Sequence, residues 1–355
     1  ITSTPDPKKL GRIGGITLLL YAVTTLIAIA LGIGIASYLE LGKNLHFAQA
    51  SVVQAKELPS MADLMLSLVP KNPIAAFAEG NILQIIVFST LFGTALNLIG
   101  KKAKPLIDCF DALASCMFRL TSMVMAVSPI GVFALMAWAC GSFGLELLLP
   151  VLKFLLCYYA ASLLFMVVVF GGILFFMAKL NPLHFFKGML EAIGAAVSTC
   201  SSSATLPATI QCSIEKLGVS KGLANFVLPL GCSLNMNGSA LFQAMGTIFL
   251  AQAYGIELQI QHMILLSTTI ILATLGTASI PGAGLIMLSI VFSSVGIPLE
   301  GIAILASIDR LRDMATTTLN ITGDAVCAVY VAKREGELDE SIYYSQSKRN
   351  EVAAV

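Results

Sequence analysis

The stretch that decides the fold is DRLRDMATTTLNITGD, residues 309–324, which sets charges and amides inside an otherwise apolar region. If this stretch is one α-helix, its spacings of four, four, three and four residues bring five polar side chains within roughly 80° of one another: Asp309, Asp313, Thr317, Asn320 and Asp324. A charge in the hydrocarbon core costs about 2.5 kcal/mol or more, so three carboxylates on one face indicate a substrate or ion pathway. An exposed polar helix is the alternative, but the apolar run AVCAVYV at 325–331 argues against it.

The composition is that of a membrane protein. Of the 355 residues, 57% are hydrophobic and only 12% are charged, and the mean hydropathy is +0.88. A soluble domain has about 45–50% apolar and about 25% charged residues. The net charge of +1 gives no reason to expect a nucleic-acid partner. The eight cysteines form no C-x-x-C pair and the three histidines are isolated, so we expect neither a disulfide framework nor a metal centre built from them.

The first half of the chain contains conventional apolar segments, each long enough to cross a bilayer. Between the first two spans lie a polar connection, 42–61, and a short helix, 62–69, which ends before Pro70. The predicted spans are 13–38, 76–99, 106–137 with an interruption at Ser128-Pro129-Ile130-Gly131, and 147–179.

The second half contains half-length helices around polar breaks. Segments 184–198 and 208–217 flank the break TCSSSATLP at 199–207, and segments 258–275 and 285–296 flank the break GTASIPGAG at 276–284. A long helix follows each pair, 222–254 and 298–334, so the pattern predicts an inverted repeat of two re-entrant hairpins whose tips line a cavity. Two ordinary loops between short spans are the alternative.

The helix at 222–254 carries GCSLNMNGS at 231–239, near its centre. Two glycines and two asparagines are poor choices for the middle of a membrane helix. They are typical of a helix that unwinds there and frees carbonyl groups, which together with amide oxygens suit a small hard cation.

These motifs resemble the dicarboxylate/amino acid:cation symporter family over nearly the whole chain. The matching motifs are Tyr21-x-x-Thr24-Thr25, Pro73 to Gly80-Asn81, Phe92-Gly93, Ser128 to Gly131, Ser201 to Pro207, Asn235-Met236-Asn237-Gly238, Gly276-Thr277, Pro281 to Gly284, and Asp313 to Asp324. The resemblance implies an all-α polytopic membrane protein, an inverted-repeat transporter with two re-entrant helical hairpins and broken helices. It further implies an elevator mechanism, a homotrimer in the lipid of the cell membrane, and no enzymatic activity.

The resemblance also implies an order of domains. Residues 1–41 would be the third family helix, part of the transport domain. Family members begin with two further helices, so either these are missing from this sequence or the protein departs from the family pattern. Residues 42–182 would hold the scaffold and trimerisation helices and the sixth family helix. Residues 183–336 would be the transport core, made of both hairpins, the broken helix and the last helix, and residues 337–355 a polar tail.

The site residues are carried over from the family position by position. The α-carboxylate of an amino acid would be held by Ser202 and Asn320, and its ammonium group by Asp313 with Thr317 beside it. The full set of implied substrate-binding residues is Ser202, Ser239, Ile280, Gly282, Gly284, Asp313, Thr316, Thr317 and Asn320, of which Ile280, Gly282 and Gly284 form a gate.

Three cation sites are implied in the same way. The first uses Gly231, Asn235, Asn320 and Asp324. The second uses carbonyl groups near Ser233, Thr274, Leu275 and Thr277. The third uses Tyr21, Thr24, Thr25 and Asn235. Sodium is the expected ion, with a proton in place of one ion as the alternative, and no organic cofactor is expected.

Two departures from the family pattern shape the predicted specificity. Acidic-substrate members carry an arginine where this chain has Thr316, and the first hairpin offers Cys200 instead of a replacement. A threonine cannot form a charge-assisted pair with a carboxylate, which favours a small neutral substrate such as serine, alanine or threonine. Arg310 is the candidate partner if the substrate is acidic, whereas Arg312 should point about 100° away from Asp313. Asn237 replaces a family aspartate, which predicts a weak or missing third cation site.

The predicted function is therefore a secondary active symporter of a small neutral amino acid, coupled to Na⁺. The alternative is an acidic amino acid symporter coupled to Na⁺ or H⁺. No G-x-x-x-x-G-K-[ST] phosphate-binding motif occurs. An ion channel is disfavoured by two gates, and an intramembrane serine enzyme by the lack of a histidine in any polar cluster.

Overall fold

The computed structural model describes residues 7–43, 45, 69–79, 82–126, 130, 133–134, 137, 141, 148–275, 279 and 281–345. These residues are almost all helical, and they include no β-strand beyond an isolated bridge between Val219 and Leu338. The chain divides into two compact units, one of Ile1–Ala50 with Met136–Val355 and one of Ser51–Leu135. The expectation of an all-α protein is confirmed within these ranges.

The described residues of the smaller unit form three α-helices. After α1 (Pro7–Tyr38), which belongs to the larger unit, these helices are α2 (Pro73–Glu79), α3 (Ile82–Ile99) and α4 (Lys104–Ala126), with the 3₁₀ turn Gly100–Ala103 between the last two. Phe92 of α3 contacts Phe110 of α4 edge to face, with 5.9 Å between ring centroids. The described part of the predicted span 76–99 falls on α2 and α3, and the predicted span 106–137 falls on α4 as far as Ala126. Most of the predicted connection 42–61, residues 62–68, and the interruption residues Ser128, Pro129 and Gly131 lie outside the described residues.

Among the described residues, two helices are long and apolar enough to cross a bilayer, and both belong to the larger unit. α1 (Pro7–Tyr38) supplies the apolar stretch Gly11–Tyr38, and α5 (Leu148–Phe165) continues through two π-helical segments to give Leu149–Met177. Large apolar side chains are exposed on both, for example Leu19 and Leu156. Exposed apolar faces of this extent are expected where a protein meets lipid rather than water.

The remaining helices of the larger unit follow in the order that the sequence pattern predicts. Two of them, α7 and α8, pack against each other across the first break, and α11 and α12 pack against each other across the second. The bounds are α6 (Pro182–Gly188), α7 (Leu190–Thr199), α8 (Ser202–Glu215), α9 (Lys221–Leu234), α10 (Asn237–Ala253), α11 (Ile260–Leu275), α12 (Ala283–Val295), α13 (Ile302–Ala306) and α14 (Asp309–Glu335).

The first break is much shorter than predicted. Cys200 takes a left-handed conformation with φ 51°, and Ser201 caps α8 by accepting a hydrogen bond from the Ala204 amide at 3.2 Å. The helix therefore restarts at Ser202 and holds Pro207 inside it, so the predicted nine-residue break at 199–207 is wrong. A serine cap satisfies an unpaired amide at the helix start, which allows the chain to re-enter a helix after two residues.

The break in the next long helix is confirmed, and it is also narrow. α9 ends at Leu234 and α10 begins at Asn237, while Asn235 and Met236 take non-helical ψ angles of 78° and 54°. Around the second predicted break, at 276–284, residues 276–278 and 280 lie outside the described residues. α12 begins after Gly282, which has a φ of 80°.

The polar helix α14 lies at the centre of the larger unit. It packs against six other helices, and every residue from Thr316 to Val329 is buried. The prediction of one continuous helix over 309–324 is confirmed, and the exposed-helix alternative is wrong. The helices that surround α14 are α1, α5, α7, α8, α9 and α10.

Candidate functional site

A cavity lies where the helix breaks meet α14. It is lined by polar groups and small side chains from four places in the chain. Seven of the predicted substrate-binding residues line it. The lining residues are Cys200, Ser202, Met236, Ser239, Ser279, Ala283, Gly284, Asp313, Thr316, Thr317 and Asn320. Gly282 lies beside the cavity, and Ile280 is outside the described residues.

Asp313 is the carboxylate that faces this cavity. Its side chain keeps about a tenth of its surface exposed, and its Oδ2 accepts a long hydrogen bond of 3.4 Å from the Gly282 amide. Its Oδ1 lies 3.2 Å from Arg312 Nη1. A carboxylate with one lightly bonded oxygen at a cavity wall is suited to bind an ammonium group, as the sequence predicts for this residue.

The tip of the first break is joined to the segment after the second. Ser201 Oγ donates to the Ser279 carbonyl at 2.7 Å, and the Ser203 amide donates to the same carbonyl at 3.3 Å. Ser279 Oγ in turn donates to the Cys232 carbonyl of α9. The amino ends of α8 and α12 therefore both border the cavity, and helix amino ends attract anionic groups.

Asn320 braces the break in the α9–α10 helix. Its Oδ1 accepts a hydrogen bond of 2.7 Å from the Gly238 amide, and its Nδ2 lies 3.3 Å from Met236 Sδ. Its amide oxygen is thus engaged with the first turn of α10. The sequence predicts Asn320 as a ligand of both the substrate and the first cation, and the structure places it between the two locations.

Asp324 is a buried carboxylate with an amide as its hydrogen-bond partner. Asn235 Nδ2 donates to Asp324 Oδ1 at 2.9 Å, and the side-chain oxygen of Asn235 is buried without a partner. In the described part of the chain, no lysine, arginine or histidine forms an ion pair with Asp324. A methyl group at Gly231 would lie 2.5 Å from both Asp324 Oδ1 and Tyr21 Oη.

These contacts assemble most of the first predicted cation site. Gly231, Asn235 and Asp324 are brought together, and Tyr21 of the third predicted site joins them while donating to the Val227 carbonyl at 3.1 Å. A buried carboxylate needs a compensating positive charge, because moving an unpaired charge out of water costs several kcal/mol. Carboxylate, amide and carbonyl oxygens are ligands for a small hard cation.

The remaining third-site residues are held by Asn237. Thr25 Oγ1 donates to Asn237 Oδ1 at 3.1 Å, and Asn237 Nδ2 donates to Thr24 Oγ1 at 3.3 Å. An amide nitrogen thus points into the ligand group, where an aspartate would offer a second oxygen. The weakness of the third site stays a prediction.

The described residues include only part of the second predicted cation site. Thr274 is buried, but its hydroxyl donates to the Ile271 carbonyl at 2.8 Å within its own helix. α9, which carries the exposed Ser233, packs against α11, which ends at Leu275. Thr277 lies outside the described residues, so this site stays a prediction.

Arg312 is the residue that the sequence interpretation placed wrongly. It is fully buried, and it forms an ion pair with Asp309 and a second one with Asp313. Its guanidinium carbon lies 4.1 Å from the centre of the Phe242 ring, and its Nη1 lies 3.4 Å from Thr316 Oγ1. The long side chain can bend toward residues three and four positions away, so the helical angle of its Cα did not predict the position of its charge.

Arg310, the candidate named from the sequence, lies elsewhere. It is half-buried and donates to the Ser198 carbonyl at 3.0 Å.

Tyr158 of α5 was missed altogether. Its hydroxyl lies 2.6 Å from Thr316 Oγ1 and donates to the Gly238 carbonyl at 3.1 Å. The spacing Asp309–Arg312–Thr316 is a sequence signal that could have indicated the position of Arg312. An isolated tyrosine in an apolar helix gives no such signal for Tyr158.

Gly238→Ala should destabilise the protein and weaken ligand binding. An added methyl group would lie 2.8 Å from Thr316 Cα, which is backbone and cannot move aside. Overpacking of this kind costs about 1–3 kcal/mol. Thermal unfolding of the purified protein measures the effect. Gly222→Ala is the control, because nothing lies within 4 Å of its added methyl group. Equal melting temperatures for the two variants would contradict the packing described here.

Known proteins match this chain along almost its whole length. The sequence profile described as "Sodium:dicarboxylate symporter family" matches residues 1–334. The "Proton/sodium-glutamate symport protein" of Bacillus caldotenax is 36% identical over 352 residues, which cover 96% of this chain and 82% of that protein. The "Proton/glutamate-aspartate symporter" of Escherichia coli K12 is 37% identical, covering 96% and 80%. The "C4-dicarboxylate transport protein" of Anaeromyxobacter sp. strain K is 33% identical, covering 96% and 79%.

Proposed function

Because the chain belongs to the sodium:dicarboxylate symporter family, we propose that it is a secondary active symporter of an acidic amino acid, glutamate or aspartate, coupled to Na⁺ or H⁺. The names of its relatives favour this alternative over the small neutral substrate predicted from Thr316. In the prediction from Thr316, Arg310 was the alternative source of a guanidinium group, and Arg312, which contacts Thr316, was left out.

The observation that carries the choice of substrate is Asp313 at the cavity wall. A C4-dicarboxylate would bring two negative charges toward this carboxylate and no group to pair with it. An acidic amino acid brings an ammonium group as well, which can replace the internal partners of Asp313. The amino ends of α8 and α12 offer amide groups to its α-carboxylate. Among the substrates in the relatives' names, the cavity therefore favours the amino acids.

Coupling to a cation follows from Asp324 in this proposal. A carboxylate that is buried beside an unpartnered amide oxygen is stable when a cation or a proton compensates its charge. Asp324 lies on the same helix as Asp313, and Asn320 between them connects to the start of α10. Cation binding would thus support the α10 break that lines the substrate cavity, which links the two ligands through shared residues.

We also propose the wider arrangement implied by the family resemblance. The protein would be a multi-pass homotrimer of the cell membrane, with residues 1–41 and 183–336 moving as an elevator against a scaffold within 42–182. The breaks at Cys200 and before Ala283 would be the tips of re-entrant hairpins. In support, α1, α5 and α6–α14 belong to one compact unit, and residues 51–135 form another. The π-helical end of α5 at Ile173–Met177 packs against α14 and so belongs with the core.

Uptake by the purified protein in proteoliposomes tests this function. Radiolabelled L-glutamate and L-aspartate should accumulate under an inward Na⁺ or proton gradient. Unlabelled L-serine, L-alanine, L-threonine and succinate should compete poorly. Preferred accumulation of serine or alanine would restore the neutral hypothesis, and preferred accumulation of succinate would contradict the role given to Asp313.

Asn237→Asp should strengthen sodium dependence. The change places a second carboxylate oxygen beside the hydroxyl groups of Thr24 and Thr25, which forms a more complete cation site. The Hill coefficient for Na⁺ in substrate binding should rise, by up to about one ion. Asn181→Asp is the control, because Asn181 is an exposed helix cap that aspartate replaces equally well. An unchanged Na⁺ dependence in the Asn237 variant would argue against a third site at this position.

A further inference from the structure

We propose that Arg312 binds the side-chain carboxylate of the substrate, and that without substrate Asp313 holds part of this guanidinium group in place. Binding would then replace one internal ion pair by two ion pairs with the ligand. The inference rests on the proposed function, since it names the residue that would make the site specific for acidic amino acids.

The guanidinium group is held firmly along one edge and loosely along the other. Nε donates to Asp309 Oδ1 at 3.0 Å, and Nη2 forms an ion pair with the same oxygen. On the other edge, Nη1 lies 3.2 Å from Asp313 Oδ1 and 3.4 Å from Thr316 Oγ1. Charge-assisted hydrogen bonds are usually about 2.7–2.9 Å long. The Nη1 edge is therefore the one that can take a new partner.

This loose edge lies directly behind the cavity wall. Asp313 and Thr316, which contact Nη1, both line the cavity. A methyl group at Gly284, a third lining residue, would lie 2.9 Å from Nη1 and 3.1 Å from Nη2. Three residues that line the cavity thus pack directly against the guanidinium group. The absence of a side chain at Gly284 leaves a direct approach.

The local charges favour an exchange of partners. Asp309, Arg312 and Asp313 carry a combined formal charge of −1, so Asp313 retains attraction for a cation even while it contacts Arg312. The ammonium group of an amino acid can pair with Asp313, and a second carboxylate can then pair with Nη1. Asp309 and the face of Phe242 would keep the guanidinium group in position during this exchange.

A neutral amino acid cannot complete the exchange. Its ammonium group would compete with Arg312 for Asp313, and it has no anion to compensate the released guanidinium edge. A buried donor without a partner is costly, and more so when it is charged. Arg312 would thus discriminate by disfavouring neutral ligands as well as by binding acidic ones.

Two variants test the role of Arg312. Arg312→Lys keeps the charge but lacks the planar pair of donors. The double variant Asp309→Asn/Arg312→Gln removes the guanidinium group and keeps the combined formal charge at −1, which avoids leaving Asp309 unpaired. Inhibition constants for L-aspartate, L-glutamate, L-serine and L-alanine are measured by competition in proteoliposomes. Arg310→Gln is the matched control on the same helix.

In the double variant we expect at least a tenfold loss of affinity for the two acidic amino acids, with unchanged or improved affinity for serine and alanine. The lysine variant should fall between this variant and the wild type. If the wild type prefers acidic ligands and both Arg312 variants keep that preference, the role of Arg312 is wrong while the proposed function stands. If the wild type itself prefers neutral ligands, the proposed function fails and the inference fails with it. An equal loss for all four ligands would show a structural role only.

Discussion

Asp324→Asn abolishes cation-driven uptake in our account, with a loss of sodium affinity of about a hundredfold or more. The asparagine has nearly the same shape, but it leaves only neutral oxygens around the cation. Breaking a buried ion pair by removing one partner costs about 3–5 kcal/mol, and about 1.4 kcal/mol corresponds to a tenfold change. The protein should remain folded, because an amide at this position can still hydrogen-bond with Asn235 and needs no compensating charge.

The Na⁺ concentration that gives half-maximal substrate binding measures this effect, together with the rise in melting temperature when Na⁺ is added. Asp108→Asn is the control, because Asp108 is an exposed carboxylate of the smaller unit. A stable Asp324→Asn protein that kept the wild-type Na⁺ and proton dependence would remove Asp324 from the coupling site.

Asp313→Asn should abolish binding of the amino acid. The ammonium group of the substrate would lose its only predicted carboxylate partner, and we expect at least a hundredfold loss of affinity, or about 2.7 kcal/mol. Folding should be affected little, since Arg312 keeps its bonds to Asp309 and the amide oxygen of the asparagine still offers Nη1 an acceptor. In this respect Asp313 differs from a structural carboxylate, whose removal would leave a buried arginine unpaired.

Isothermal calorimetry with L-aspartate or L-glutamate gives the affinity, and thermal unfolding without ligand gives the stability. Glu300→Gln serves as the control, because Glu300 is an exposed carboxylate outside the polar helix. Near wild-type affinity in the Asp313 variant would mean that the ammonium group binds elsewhere. A large loss of stability without ligand would instead assign Asp313 a structural role.

The arrangement of helices could largely be predicted from the sequence. The period of the polar residues in 309–324 predicted a single helix, and the asparagines at 235 and 237 predicted where its neighbour breaks. The width of the breaks could not be predicted from composition. Serine, glycine and proline suggest a long irregular segment at 199–207, whereas the Ser201 cap and the left-handed Cys200 reduce it to two residues.

The site was predicted less completely, for a physical reason that Arg312 illustrates. A helical angle describes where a Cα lies, but an arginine side chain extends over more than one turn and can pair with residues on either side. Tyr158 is a second example, since its contact with Thr316 joins positions far apart in the chain.

The most direct test of the account is the reversal of substrate flux in proteoliposomes. The gradient of radiolabelled L-glutamate or L-aspartate is fixed outward, and an inward gradient of Na⁺, or in a parallel series of protons, is increased stepwise. The account predicts that net flux falls to zero and then reverses toward uptake against the substrate gradient in at least one series. Flux that followed the substrate gradient alone, whatever the gradient of either cation, would contradict it.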